Sequence, residues 1–203
     1  MSSNPVVSHC RLWGMRCYLS GAMDKASDNG IQWRERLSRF LFNLGVIILD
    51  PTNKPIDIGQ ETIEDKEYRK RLKRQNRFDE LQTGMKPVRS VDLRMDDIAD
   101  FIIVNFDNDI RTCGTHEEYG WANRCKKPVL VRCVQGKREA PDWMFAMFPH
   151  QHIFGSWSAL KKYLIHIHRD NIVDDMRRWI FFDYTQFVPK VSVEESVQFA
   201  STS

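Results

Sequence analysis

No stretch of this 203-residue chain approaches a membrane span. A helical crossing needs roughly 20 consecutive apolar residues, and the longest apolar runs, at 45–49 and 101–104, stop far short of it. Cysteine is sparse, with five residues at 10, 17, 113, 125 and 133, an odd number with no C-x-x-C pair. That argues against a disulfide framework and for a reduced, intracellular chain. The first nine residues carry neither a basic n-region nor an apolar h-region. No secretory signal is therefore expected, and the expected location is the cytoplasm. No sign of charge dominates: 30 Lys and Arg face 27 Asp and Glu, a formal net charge of +3. Such a balance permits an anionic ligand without demanding nucleic acid. What is present is an ordinary globular mixture, 42% hydrophobic and 28% charged, with ample material for a core. At roughly 100–200 residues per domain the length suits one domain with an appendage.

Short apolar runs alternate with helical periodicities. Residues 15–21 read as a first strand ending at Gly21. Trp33, Leu37, Phe40, Leu41 and Leu44 share one helical face, and Gly45 stops that helix. Residues 46–49 read as a second, buried strand closed by the turn Asp50-Pro51-Thr52-Asn53. The stretch 60–86 is dense in mixed charge, which suits a solvated helix or two, or a lid, as part of a charged insertion at about 53–90. A helix is expected over 92–99, a third strand over 100–107, a helix over 115–124 and a fourth strand over 128–133. A short fifth strand at 152–154 and an amphipathic helix over 157–168 complete a domain spanning 1–168. The extension 169–203 holds an aromatic cluster, Trp179, Phe181, Phe182, Tyr184 and Phe187, suited to packing on the domain or on a second copy.

Strands alternating with helices imply βα units and a parallel sheet. In such sheets ligands bind beyond the carboxyl ends of the strands. That geometry selects Tyr18 to Asp24, Asp50 to Asn53, Asn105 to Thr115, and the helix start near Glu118. Thr115-x-x-Glu118 has the spacing of a capping box, so Glu118 could serve a helix start, a pocket or both. Asp92 could be a second carboxylate near that pocket, or a helix cap. Two neighbouring carboxylates suit glycosidic chemistry: one attacks the anomeric carbon and the other manages protons. Cys113 beside Gly114 is a weaker nucleophile candidate, with His116 close in sequence. The pairs His150/His152 and His166/His168 fit surface or structural roles, and no metal is expected.

Three pieces in order resemble the nucleoside 2-deoxyribosyltransferase family and its relatives, the 2'-deoxynucleoside 5'-phosphate N-hydrolases. They are Tyr18-Leu-Ser-Gly-Ala-Met, Asp92 eight residues before the Asp100-Phe-Ile-Ile-Val strand, and Gly114-Thr-x-x-Glu118-x-Gly120-x-Ala122. The resemblance covers about residues 15–133. It implies an α/β, flavodoxin-like three-layer sandwich with a central, mainly parallel sheet. It also implies Glu118 as the nucleophile forming a deoxyribosyl–enzyme ester, Asp92 as the acid assisting the leaving base, and Tyr18 as their neighbour. Gly21, Ala22, Met23 and Asp24 match a loop beside the sugar or its phosphate. With Asp50, Asn105, Thr112, Gly114 and Thr115 they make up the expected substrate-binding set. The expected activity is transfer of deoxyribose from a deoxynucleoside to a free nucleobase, by a homo-oligomer needing no metal or organic cofactor. Two departures leave alternatives open. Thr112 stands where the transferases carry a base-contacting aspartate, which favours hydrolysis of a 5'-monophosphate. Asp24 stands where phosphate-binding relatives carry an arginine and glycines, which favours an unphosphorylated sugar, unless Arg34, Lys86 or Arg89 compensates. A nucleotide-binding module without turnover is a further alternative.

Overall fold

Four short apolar segments pair side by side, and the three central ones hide both faces. In the computed structural model, which describes residues 10–23, 25, 26, 28–169 and 178–182, they are β1 (Arg16–Gly21), β2 (Ile47–Leu49), β3 (Phe101–Phe106) and β4 (Val129–Cys133). A two-residue β5 (Ile153–Phe154) completes a five-stranded, all-parallel sheet of order β2-β1-β3-β4-β5. This is the flavodoxin-like doubly wound order, whose switch point lies between β1 and β3. The fold class expected from the sequence is therefore the one observed.

The helices are α1 (Ile31–Phe42), α2 (Ile63–Arg74), α3 (Phe78–Ile98), α4 (Cys113–Arg124), α5 (Asp142–Met147) and α6 (Trp157–His168). Strand side chains alternate between faces. Cys17, Leu19, Phe101 and Ile103 meet Leu37 and Leu41 of α1 and Leu160, Leu164 and Ile167 of α6. Tyr18, Ile102 and Val104 meet Met95 of α3 and Tyr119 and Ala122 of α4. The same alternation puts Tyr18 and Ser20, two residues apart, together on the face toward α3 and α4. Asp100 locks the start of β3 beside β1, accepting from the Arg16 amide at 2.7 Å and pairing with its guanidinium at 2.9 Å.

Four expectations change. β2 is an edge strand, so Ile47 is 53% exposed rather than buried. The helix expected to begin near residue 92 begins at Phe78 and runs 21 residues through Pro87. Proline removes one intrahelical donor, and the residue left without it, Thr83, is exposed, where water serves. The helix expected at 115 begins at Cys113 with Thr112 as its N-cap and no side-chain capping bond. The capping-box reading of Thr115 and Glu118 is thereby excluded, because Thr115 already lies inside the helix and Glu118 lies one turn further on. His150-Gln-His152 forms a 3-10 turn that only leads into β5.

The described end of the extension packs on the domain. Trp179 is buried against Phe101, ring centroids 5.1 Å apart, and stacks on Phe181. Its indole N–H donates to the Tyr163 hydroxyl at 3.1 Å. Tyr184 and Phe187 lie outside the described residues, as does Asp24.

Candidate active site

At the β1/β3 switch point a cavity of about 560 Å³ opens. Its floor is the end of β1 and the first turns of α4; its wall is α3 and Glu61. Glu118 reaches this floor from α4. Its Oε1 accepts from the Tyr18 hydroxyl at 2.9 Å, and its Oε2 accepts from the Ser20 hydroxyl at 2.5 Å. Both carboxylate oxygens are thus held by donors from one face of one strand. Burial lifts the Glu118 carboxyl above its ordinary range; the Ser20 and Tyr18 hydroxyls and the Arg34 charge pull it back down. Burial together with the Glu118 and Asp92 charges pushes the Tyr18 phenol well up, so it remains a neutral donor.

Asp92 lines the same cavity from α3. Its Oδ1 lies 2.8 Å from the Lys54 ammonium, whose side chain is fully buried. Burial pushes Asp92 up to about 6, against the pull of Lys54, with the Glu118 charge adding to the rise. One turn further along α3, Asp96 is completely buried and, among the described residues, neither of its carboxylate oxygens has a hydrogen-bond partner. Burial pushes it to about 7. Asp96 does not line the cavity, so it has no place against a substrate there.

The loop after β1 is held from below by Arg34. This fully buried guanidinium donates to the carbonyls of Leu19 (3.1 Å), Gly30 (2.9 Å) and Gly21 (2.9 Å). Gly30 has φ +72°, and a Cβ there would lie 2.4 Å from the Ala22 carbonyl, so only glycine fits. From above, Lys66 of α2 donates to the carbonyls of Met23 and Ala26. Arg89 of α3 pairs with Glu117 of α4 at 2.9 Å, joining the two helices that flank the opening.

Of the residues selected from sequence, Gly21, Ala22, Met23, Asp92, Thr112, Gly114, Thr115 and Glu118 line the cavity. Tyr18 lies beneath them, in contact with Glu118. A Cβ on Gly114 would meet nothing within 4 Å, so this turn faces open space. At Gly21 a Cβ would meet the Trp33 ring at 2.9 Å, so packing as well as ligand access accounts for that glycine. Asp50 and Asn105 do not line the cavity. Asp50 accepts from the Thr52 amide at 2.8 Å and faces Arg34 at 3.6 Å. Asn105 accepts from Arg132 at 3.0 Å. Cys113 is exposed on the lining, and no cluster of metal-ligating side chains occurs among the described residues.

Sequence reasoning missed Lys54, Glu61 and Asp96, and gave Ser20, inside the selected stretch, no role of its own. Period-two alternation from Tyr18 was a signal for Ser20, and the four-residue step from Asp92 was one for Asp96. Lys54 and Glu61 lie in irregular backbone, where no periodicity marks them.

No family model and no curated protein matches the chain. Among solved structures it is similar to one described as a 2-deoxyribosyltransferase from the psychrotolerant bacterium Bacillus psychrosaccharolyticus. The TM-score is 0.49 and the identity 16%, over 82% of this chain and 97% of that one.

Proposed function

We propose that the protein cleaves the N-glycosidic bond of a 2'-deoxynucleoside and transfers the sugar to another base. The observation that carries this reading is Glu118, held by Tyr18 and Ser20 at the floor of a cavity that Asp92 also lines. A Glu118 oxygen attacks C1'. The C1'–N bond breaks, its electron pair leaves with the base, and Asp92 supplies the proton that the departing nitrogen takes up. A second base then attacks C1' through a ring nitrogen, passes its proton to Asp92, and releases Glu118 as a carboxylate. Splitting one displacement into two lowers each barrier. Tyr18 and Ser20 orient the nucleophile while the ester forms and breaks. Thr112, Gly114 and Thr115 at the start of α4, with Gly21, Ala22 and Met23, bound the space for sugar and base. The motif resemblance around Tyr18, Asp92 and Glu118 supports the same assignment.

A second reading, hydrolysis of a deoxynucleoside 5'-monophosphate, is favoured by Lys25, Lys86 and Arg111 on the lining. One chromatographic assay separates the two. Wild type and Glu118→Gln are incubated with deoxynucleosides and their monophosphates, with and without a different free base. New nucleoside formed only with acceptor base supports transfer; free base without exchange supports hydrolysis. Turnover that survives in Glu118→Gln sinks both, and inertness of every donor with wild type leaves a nucleotide-binding module.

A further inference from the structure

The segment between β2 and α2 is held mainly by charge. Ile56 is 46% and Ile58 62% exposed, and α2 buries only Leu72. Yet this segment supplies Glu61 to the cavity wall. Its anchor is Lys54, whose side chain is fully buried. A lysine ammonium has three N–H groups and accepts nothing. Here it faces three acceptors: Asp92 Oδ1 at 2.8 Å, the Gly59 carbonyl at 2.5 Å and Glu61 Oε2 at 3.6 Å. Glu61 in turn faces Arg69 of α2 at 3.4 Å. A chain of alternating charge thus runs from α3 through the loop to α2.

We infer that Lys54 is a positioning residue for Asp92, fixing that carboxylate at the cavity wall and linking it to the segment that carries Glu61. The inference rests on the proposed reaction for its purpose, and on the geometry for its substance. An opposite charge in contact favours the ionised form of a carboxylate, so Lys54 holds Asp92 toward its anion. Other groups also face Asp92: Glu118 from α4, Arg34 from α1 and Tyr18 from β1, with Asp96 one turn away on its own helix. Of these partners Lys54 is the one in direct contact, and its pull exceeds that of Arg34. With the Lys54 ammonium in contact, Asp92 keeps its anionic form accessible and returns to it after each proton transfer. Without that ammonium, and with the burial unchanged, Asp92 loses its counter-charge and its proton becomes harder to remove.

The test follows the Asp92 carboxyl by carbon-13 NMR in wild type, Lys54→Met and Lys54→Arg, with full-length protein and no substrate. The expected midpoint is about 6 in wild type. Removing an opposite charge at this distance raises it by about one pH unit or more. Lys54→Arg, which keeps the charge, restores it at least in part. The alkaline limb of turnover moves with the midpoint. An Asp92 midpoint unmoved in Lys54→Met overturns the inference. Because the titration needs no substrate, an inert wild type defeats the proposed reaction without touching this result. If Lys54→Met does not fold, Lys54→Gln replaces it: this variant keeps a polar end, removes the charge and should raise the Asp92 midpoint in the same direction. An Asp92 midpoint unmoved in that variant overturns the inference equally.

Discussion

The Tyr18 hydroxyl, on the first strand, donates to Glu118 Oε1 at 2.9 Å, joining residues 100 positions apart in the chain. With Ser20 on the other oxygen, the carboxylate is held from one side by a single strand. Hydrogen bonds to a charged group contribute about 1.5–3 kcal/mol. Tyr18→Phe and Ser20→Ala should each lower kcat by about 10- to 100-fold. Both hydroxyls pull the Glu118 carboxyl down. Removing either therefore raises it further, and the acid limb of the pH–rate profile should move to higher pH. Steady-state kinetics across pH checks this. A loss of kcat with an unmoved acid limb would separate orientation from ionisation and contradict the electrostatic role of the two hydroxyls.

Asp92, raised to about 6, carries the opposite limb. It must be protonated to assist the leaving base, so kcat/KM should decline as pH rises through about 6. Asp92→Asn should abolish that alkaline limb and lower kcat, with most of the loss for donors whose base is a poor leaving group. The measurement is kcat/KM against pH for one donor with a good leaving base and one with a poor one. An alkaline limb retained in Asp92→Asn assigns it elsewhere.

How far the sequence could anticipate this arrangement depended on what periodicity records. The sheet was legible because β3 and β4 are apolar almost throughout and their flanking helices carry clear stripes. The start of Trp157–His168 was legible to the residue because Ser156 precedes it, and its hydroxyl accepts from the Ala159 amide as an N-cap. Thr115-x-x-Glu118 left capping and function open because the same spacing serves both; only the observed start at Cys113 decides between them. Asp50 misled for a related reason: a carboxylate at a strand end can serve its own turn, as it does with Thr52. The wall of the cavity was least legible. Its members, Lys54, Glu61 and the middle of α3, meet through ion pairs across irregular backbone, and Pro87 disguised one long helix as two elements.

In sequence Arg34 offers no more than compensation for a phosphate, yet in the structure it is the fully buried keystone of the loop after β1. Replacing it by Met leaves the carbonyls of Leu19, Gly21 and Gly30 without their donor and Asp50 without its counter-charge. Breaking a buried charged network in this way costs about 3–5 kcal/mol. At about 2–4 °C per kcal/mol for a chain of this size, thermal unfolding should show a Tm lower by about 6–20 °C. Arg34→Lys should recover little of the loss, since one ammonium cannot span carbonyls that a planar fork reaches together. A variant Tm within about 2 °C of wild type would show that solvent replaces these bonds at little cost.

Asp96 gives the stability of the protein an unusual dependence on pH. In the unfolded chain its carboxyl titrates near 3.9; in the folded protein burial raises it to about 7, with no hydrogen bond to either oxygen among the described residues. The folded state therefore binds this proton more tightly than the unfolded state. The contribution of Asp96 is most favourable below about pH 4 and is lost progressively as pH rises from there to about 7. Above that, the chain folds around an ionised, unpaired carboxylate at a cost of up to about 4 kcal/mol. Asp96→Asn keeps the shape and removes the charge, so wild type and variant should unfold alike near pH 4, with the variant the more stable at pH 8. Urea unfolding at the two pH values measures the difference directly. Equal stabilities at pH 8 would mean that water or a rearranged Lys127 reaches the carboxylate. Lys127 is the near candidate, because its ammonium already donates to the Asp96 and Asp97 carbonyls and its charge already pulls Asp96 down.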